Sequence, residues 1–164
     1  MSNNKQLFVT VGTTNFDKLI STVLQDDFLT TLKCLGFKKL ILQFGTGKVP
    51  KKDFPDIEIV FEQYIEDFQQ EIIKADLIIS HAGAGTCLEV FRHGKPAVVV
   101  INEDLMDNHQ LELARQLDKD GFIYYCTCKE LNECVKKDFG GLKKYCKSDG
   151  LSFARYLDKC VGFE

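Results

Sequence analysis

Residues 80–86 read Ser-His-Ala-Gly-Ala-Gly-Thr and are the part of this sequence best suited to bind a phosphate group. They follow an apolar Leu-Ile-Ile run and open a stretch with helical periodicity. Gly83 and Gly85, on either side of Ala84, let backbone amides approach a diphosphate closely, and the N-terminus of a helix adds partial positive charge. Thr86 can contribute a hydroxyl contact. The segment therefore predicts a diphosphate-binding loop.

Two polar side chains extend this candidate site. Glu89 lies one helical turn after Thr86 on the same face, where a carboxylate could accept hydrogen bonds from both hydroxyls of a ribose. His81 begins the loop and could contact the same ligand, or it could be a structural histidine whose hydrogen bonds are satisfied inside the fold. The glycine pattern beside it favours the first interpretation.

Residues 12–14, Gly-Thr-Thr, follow the first apolar run and form a second candidate phosphate loop. Gly12 permits a tight turn, and the hydroxyls and amides of Thr13 and Thr14 can hold a phosphate oxygen. The alternative is an ordinary strand-to-helix turn with a threonine cap. Since ligands of open parallel sheets bind beyond the carboxyl ends of the strands, both loops are expected at the same edge of one sheet.

A third polar segment follows the fifth apolar run and opens another helix. Asp107, Asn108, His109 and Gln110 are adjacent there, and directional hydrogen bonds from such side chains can select one hexose. If the segment has no binding role, Asp107 or Asn108 simply caps the helix.

Two better-known phosphate motifs do not fit this sequence. Gly83 and Gly85 are followed by Leu88 where a dinucleotide fingerprint has its third glycine, and the second predicted strand ends in Gln43 instead of an acidic residue. The fragment Gly-Thr-Gly-Lys at residues 45–48 is followed by valine, where a P-loop needs serine or threonine for magnesium. Neither a dinucleotide-binding enzyme nor an NTPase is expected.

The elements that must position these segments alternate between short β-branched or apolar runs and longer runs of helical period. This alternation predicts a doubly wound, Rossmann-like α/β domain with a parallel sheet. Gly36 and Gly94 follow helical patterns as C-cap glycines do, and residues 45–55 read as a surface loop. Strands are predicted at residues 7–11, 39–43, 57–61, 77–80, 97–101 and 122–125. Helices are predicted at about residues 16–35, with a break near Asp26, and at 66–74, 86–93 and 109–117.

Composition limits the classes of function. The chain has 164 residues, of which 45% are hydrophobic, and this is enough for one domain with its own core. The polar N-terminus lacks the apolar stretch of a signal peptide, and the longest apolar runs are too short to cross a bilayer, which predicts a soluble intracellular protein. The formal net charge of −3 disfavours a nucleic-acid partner.

Seven cysteines in a chain of this kind argue for reduced thiols instead of a disulfide framework. Cys126, Cys128, Cys134 and Cys146 lack the paired C-x-x-C spacing of a zinc site, so zinc is not favoured there. No Asp-x-Asp triplet lies near the phosphate loops, which is consistent with a metal-free site.

Taken together, these segments resemble the donor-binding C-terminal domain of GT-B glycosyltransferases. Within that family they are most similar to the small cytosolic subunits of the UDP-N-acetylglucosamine transferases of dolichol-linked oligosaccharide synthesis. The resemblance covers most of the chain, and the residues that carry it are 8–14, 75–86, 102–103 and 108–114. The segments after the first are highly specific in combination, whereas the first alone is not.

The resemblance implies a role for each candidate residue. Both loops would surround the diphosphate of UDP-N-acetylglucosamine, and Glu89 would hold its ribose. The uracil would lie near Tyr64 and Ile65, which otherwise pack at a helix entrance. The residues assigned to the diphosphate are Gly12, Thr13, Thr14, His81, Gly83, Ala84, Gly85 and Thr86. Those assigned to the sugar are Asn108, His109 and Gln110.

The resemblance also implies that the chain is one half of an enzyme. Related enzymes have a second lobe that holds the lipid acceptor and usually supplies the catalytic base, so a membrane-anchored partner would provide that lobe. The reaction would be inverting transfer of N-acetylglucosamine from its UDP donor to dolichol-diphosphate-linked N-acetylglucosamine, on the cytosolic face of the endoplasmic reticulum. No metal or other cofactor would be needed. The catalytic base is not assigned to this chain, although His81 or His109 could serve.

Two parts of the chain are expected to differ in role. Residues 1–150 would form the donor-binding domain, and residues 151–164 would contain an amphipathic helix that either docks the partner or packs on the domain's own sheet. Three alternative functions stay open. They are a subunit of a two-component polysaccharide glycosyltransferase with another sugar or lipid acceptor, a non-catalytic regulatory module that binds a UDP-sugar, and a freestanding enzyme.

Overall fold

The computed structural model describes residues 4–48, 50–104 and 108–144, together with residues 155, 158 and 159. The described strands are β1 Lys5–Thr10, β2 Phe37–Gln43, β3 Glu58–Glu62, β4 Leu77–His81, β5 Ala97–Ile101 and β6 Tyr124–Thr127. The described helices are α1 Asp17–Val23, α2 Asp26–Cys34, α3 Phe68–Lys74, α4 Ala84–Arg92, α5 Asn108–Lys119 and α6 Leu131–Cys134, with a 3-10 turn at Cys128–Glu130.

All six strands pair in parallel in one sheet, in the order β3-β2-β1-β4-β5-β6. The predicted doubly wound α/β fold is therefore confirmed. β1 pairs with β2 on one side and with β4 on the other, because the chain first builds outward to β3 and then returns to start the second half. This reversal of strand order opens a crevice at the carboxyl ends of β1 and β4, where ligands of such sheets bind.

The sheet is covered on both faces, which explains why its central strands are apolar at nearly every position. Leu7 and Val9 of β1 belong to one core, with side chains of α1, α2 and α6. Phe8, between them, points to the other core, which is formed with α3, α4 and α5. Neighbouring residues of one strand thus serve opposite helix layers, as the two-residue period of a strand requires.

The predicted element boundaries differ from the structure mainly at the end of the sheet. The sixth strand was expected at residues 122–125, but it occupies Tyr124–Thr127. The reason is the closing turn of α5: Gly121 has a positive φ of 82°, and the Phe122 N–H donates to the Leu117 carbonyl oxygen at 3.0 Å. The 3-10 turn and α6 were not predicted. The break near Asp26 is confirmed, since α1 and α2 are separate helices.

Five cysteines lie in the described part of the chain, and all five are free: Cys34, Cys87, Cys126, Cys128 and Cys134. The side-chain hydrogen bond with Cys134, together with burial, raises the pKa of the Cys126 thiol. Among the described residues, no group of three or more His, Cys, Asp or Glu side chains is placed to hold a metal ion. Cys146 lies outside the described residues.

The predicted amphipathic helix at residues 152–161 falls largely outside the described residues. Within it, Arg155, Asp158 and Lys159 are helical and exposed. Its docking role, and the division of the chain at residue 150, stay predictions. No helix in the described ranges combines the length and the apolar character that crossing a membrane requires.

Candidate functional site

A buried pair of polar side chains at the strand ends fixes the loop after β1. The Thr10 hydroxyl donates to Gln43 Oε1 at 2.6 Å and accepts the Gly12 N–H at 3.0 Å. Thr10 and Gln43 are buried at the ends of neighbouring strands. Gly12 takes a positive φ of 64°, which favours glycine. Its amide therefore fixes the loop and is not free to bind a ligand, so Gly12 contributes through its conformation.

The two threonines of this loop differ in what they can offer. Thr14 is held by local hydrogen bonds, since its N–H and its hydroxyl both donate to the Val11 carbonyl oxygen, at 3.4 and 2.8 Å. The Thr14 carbonyl oxygen in turn accepts the Thr46 N–H at 3.2 Å. Thr13 is exposed, and its hydroxyl makes no hydrogen bond with another described residue. Thr13 is thus the residue of this loop best placed to contact a phosphate oxygen.

The loop between β2 and β3 packs directly on the first loop. Gly45 has a φ of 63°, and a Cβ at this position would collide with the Thr14 carbonyl oxygen. A Cβ on Gly47 would collide with the Asp17 carboxylate. Gly45 therefore permits a close approach between the two loops, and Gly47 leaves room for a side chain of α1, so neither glycine needs a P-loop to explain it.

The glycine-rich loop after β4 merges into the first turn of a helix. Helix α4 begins at Ala84, two residues before the predicted start, with Gly83 as its N-cap and no capping side chain. The first hydrogen bond toward the helix runs from the Cys87 N–H to the Gly83 carbonyl oxygen at 3.0 Å. The amides of Ala84, Gly85 and Thr86 precede it, so they have no intrahelical acceptor. Three adjacent donors with the positive end of the helix dipole are suited to an anion.

The two glycines of this loop serve different purposes. A Cβ on Gly83 would lie 2.7 Å from His81 Nε2, so this glycine makes room for the imidazole ring. Apart from the chain neighbours and the nearby backbone of α4, no described atom would lie within 4 Å of a Cβ on Gly85. Gly85 therefore borders open space at the helix N-terminus, where a ligand could lie against the backbone.

His81 is the last residue of β4, and its ring lies between the two candidate phosphate loops. A Cβ on Gly12 would lie 2.9 Å from its Cε1 atom, and Gly83 is on the other side. Burial lowers the pKa of His81, and the backbone of Thr10 opposes this only in part. Nδ1 is buried and makes no hydrogen bond with the described residues. The imidazole is therefore neutral near pH 7, and the N-terminus of α4 is a source of positive potential that does not depend on its protonation.

Glu89 lies on α4 two turns into the helix from Gly83, and both of its carboxylate oxygens are engaged. Gln69 of α3 donates from Nε2 to Glu89 Oε2 at 3.4 Å. Arg92 donates from Nη1 to Glu89 Oε1 at 3.1 Å. Sequence reasoning did not single out Gln69 or Arg92, and no local motif marks Gln69, because its contact depends on how α3 packs beside α4.

The residues predicted for the uracil follow β3 at the same edge of the sheet. Tyr64 is one of the exposed large hydrophobic residues, with half of its surface accessible. Ile65 packs against the core beneath α3 and α4, as its alternative interpretation expects. Both precede α3, whose N-cap Asp67 accepts the Gln70 N–H at 3.1 Å. Their backbone is thus held close to the start of a well-capped helix.

The residues predicted for the sugar open α5, which follows β5. Helix α5 begins at Asn108, and Gln110 is half-buried in its first turn. The side chains of Asn108 and His109 lie outside the described part of the structure, so their roles stay predictions. Asn102, directly after β5, accepts the Asp104 N–H on its side-chain oxygen at 3.1 Å.

A cavity of about 880 Å³ lies elsewhere, against α5, Tyr125 and Lys159. Its described lining carries charges of both signs and contains none of the predicted donor-binding residues whose side chains the structure describes. The candidate site is defined by loops at the switch point of the sheet instead.

Comparison with known proteins decides the family. The sequence model described as the glycosyltransferase family 28 C-terminal domain matches residues 6–154. The chain belongs to this family. Its predicted resemblance to the C-terminal domains of glycosyltransferases is therefore confirmed, and the parallel sheet described above is the fold of such a domain.

Several relatives carry the description UDP-N-acetylglucosamine transferase subunit ALG13. The relative from Homo sapiens is 53% identical over 129 residues, which cover 77% of this chain and 11% of that protein. The relative from Saccharomyces cerevisiae is 35% identical over 161 residues, covering 77% of this chain and 79% of that protein. The chain thus spans only about a tenth of the length of the human relative, but most of the yeast one.

Solved structures agree with the fold. An NMR solution structure of ALG13 superposes with a TM-score of 0.71 at 30% identity, covering 94% of this chain and 95% of that one. MurG from Acinetobacter baumannii superposes with a TM-score of 0.64 at 21% identity, covering 96% of this chain but 48% of that one. The second comparison shows the fold alone.

Proposed function

We propose that this chain is the donor-binding subunit of an N-acetylglucosaminyltransferase that uses UDP-N-acetylglucosamine. The observation that carries the proposal is the identity to UDP-N-acetylglucosamine transferase subunits, 53% over 77% of the chain. The geometry agrees with it, since a glycine-rich helix N-terminus lies at the switch point of the sheet. The alternatives of another sugar and of a regulatory module have no comparable support.

In this proposal the chain stabilises the leaving UDP through fixed dipoles. The exposed Thr13 hydroxyl and the amides of Ala84, Gly85 and Thr86 receive the diphosphate, whose negative charge grows as the glycosidic bond breaks. These donors are already in place before the substrate binds, so little reorganisation accompanies the reaction. Metal is not part of the proposal, and donor binding should persist in excess chelator.

His81 acts in this scheme as a neutral hydrogen-bonding group and not as a base. Its lowered pKa keeps the ring uncharged, and one ring nitrogen then carries a proton that can be donated to a phosphate oxygen. The general base that activates the acceptor hydroxyl is assigned to the partner. Glu89 binds the ribose, Tyr64 and Ile65 lie at the uracil, and Asn108, His109 and Gln110 face the sugar.

The partner is proposed to be a membrane-anchored subunit that carries the acceptor-binding lobe. The relatives are described as subunits, which implies that a further chain completes the enzyme. We place the reaction on the cytosolic face of the endoplasmic reticulum, with dolichol-diphosphate-linked N-acetylglucosamine as acceptor. The docking element is the predicted helix at residues 152–161.

The test is reconstitution. The full chain is co-expressed with the candidate membrane subunit, and transfer of labelled N-acetylglucosamine into lipid is measured against each subunit alone. Transfer that requires both subunits and prefers UDP-N-acetylglucosamine over UDP-glucose supports the proposal. UDP-sugar binding without transfer in the complex would favour a regulatory module, and turnover by the purified chain alone would favour a freestanding enzyme.

A further inference from the structure

We infer that Gln69 and Arg92 are positioning residues, which hold the Glu89 carboxylate so that the site prefers a ribonucleotide to a deoxyribonucleotide. The inference rests on the proposed function, because it takes Glu89 as the ribose ligand. It goes further by assigning a role to two residues on different helices that lie outside the segments carrying the resemblance.

The geometry fixes the carboxylate at both of its oxygens. Gln69 Nε2 lies 3.4 Å from Oε2 and Arg92 Nη1 lies 3.1 Å from Oε1, so rotation of the carboxylate would break one contact or both. Each ionised oxygen can accept more than one hydrogen bond, and therefore capacity is left for the two ribose hydroxyls.

The two contacts differ in origin. Arg92 is three residues after Glu89 on α4, so its contact is local to one helix. Gln69 belongs to α3, 20 residues earlier in the chain. Because α3 directly follows Tyr64 and Ile65, the Gln69 contact joins the proposed ribose ligand to the segment proposed for the base. A nucleoside bound between Glu89 and the segment of Tyr64 and Ile65 would therefore contact a carboxylate whose orientation is already fixed.

The expected effects are modest because water reaches the contacts. Glu89 keeps 24% of its side-chain surface exposed and Arg92 keeps 56%. Solvent-exposed polar pairs of this kind change an equilibrium constant by roughly 1.5- to 5-fold. We therefore expect Gln69→Leu to weaken UDP binding by about 2- to 5-fold, while binding of 2′-deoxy-UDP changes little.

The experiment measures dissociation constants of UDP and 2′-deoxy-UDP for the full chain by titration calorimetry, with thermal unfolding as a check on folding. The preference for UDP is the dissociation constant of 2′-deoxy-UDP divided by that of UDP. Gln69→Leu and Arg92→Gln should each reduce this ratio. Gln69→Lys keeps a hydrogen-bond donor at this position and should therefore retain most of the preference for UDP. The matched control is Gln70→Leu, since Gln70 is the adjacent exposed glutamine of α3 and its side chain makes no hydrogen bond with a described residue.

Glu89→Gln separates this inference from the proposed function. If Glu89→Gln abolishes the preference for UDP but Gln69→Leu and Arg92→Gln keep it, the positioning role is wrong and the ribose assignment stands. If Glu89→Gln leaves the preference unchanged, both are wrong. An equal loss in Gln69→Leu and Gln70→Leu would also overturn the inference, because it would reflect a general effect on α3.

Discussion

Replacing Gly85 with alanine should separate ligand binding from stability. Apart from the chain neighbours and the nearby backbone of α4, no described atom would lie within 4 Å of a Cβ at this position, and Gly85 does not have a positive φ. Alanine is favoured over glycine in a helix by up to about 1 kcal/mol, and less in the first turn. The free energy of unfolding should therefore stay equal or rise, which corresponds to a gain of at most about 4 °C in melting temperature for a domain of this size.

The same methyl group should interfere with UDP. If the diphosphate lies against the amides of Ala84 and Gly85, the added Cβ occupies the space that the phosphate oxygens need. Loss of that close approach should weaken UDP binding at least about tenfold, which equals about 1.4 kcal/mol. The variant is thus expected to be as stable as the natural protein but poor at binding its ligand.

Gly83, two residues before Gly85, supplies the comparison for stability. A Cβ on Gly83 would lie 2.7 Å from His81 Nε2 and 3.0 Å from Cε1, and the ring is confined on its other side by Gly12. Overpacking of this kind costs about 1–3 kcal/mol, so Gly83→Ala should lower the melting temperature by roughly 2–12 °C.

Calorimetric titration with UDP and thermal unfolding of both variants provide the assay. Unchanged UDP affinity in a folded Gly85→Ala protein would refute the assignment of the diphosphate to the start of α4. A large loss of stability in the same variant would refute the conclusion that Gly85 borders open space.

Three further predictions follow from the hydrogen bonds and burial around the loops. Thr13→Val should weaken UDP binding about tenfold in a calorimetric titration, and by more than Thr14→Val does. Thr14→Val should instead lower the free energy of unfolding by about 0.5–1.5 kcal/mol. The reverse ranking of the two variants would contradict the roles given to the two threonines. Thr10→Val leaves Gln43 without its buried partner and should cost about 1–3 kcal/mol in urea denaturation, whereas Thr10→Ser should retain most of the stability. Burial lowers the pKa of His81 when the chain folds, so the unfolded chain binds its proton more readily and stability falls as the pH drops below 6.5. In His81→Gln this part of the pH dependence should vanish between pH 5 and 8, and an unchanged slope would show that the ring is not the source.

The fold was predictable because its signals are local. Six apolar runs and the helical periods between them are visible in consecutive residues, and the break near Asp26 was placed correctly. The boundary of β6 was wrong because the apolar character of Phe122 suggested a strand, whereas its N–H closes the C-terminal turn of α5 at Gly121. The 3-10 turn and α6 were missed because elements of three and four residues carry little periodicity.

The candidate site was predictable in outline and not in its contacts. The glycine-rich loop and the residues after β1 were recognised because glycine spacing after a strand is itself a chemical signal. The different roles of the two threonines were not visible, since the Thr14 hydroxyl donates to the Val11 carbonyl oxygen while the Thr13 hydroxyl makes no hydrogen bond with a described residue. Glycines that read as phosphate-binding positions also differ, because Gly83 accommodates a histidine ring whereas Gly85 borders open space.

By itself the sequence determined the order of elements, the apolar strands and the loop chemistry at their ends, because each is encoded in neighbouring residues. Only the tertiary structure decided which polar groups meet. Thr10 and Gln43 are 33 residues apart, and Gln69 and Glu89 are 20 apart, yet each pair is in hydrogen-bonding contact. Such pairs depend on strand order and helix packing, which bring distant residues within a few ångströms.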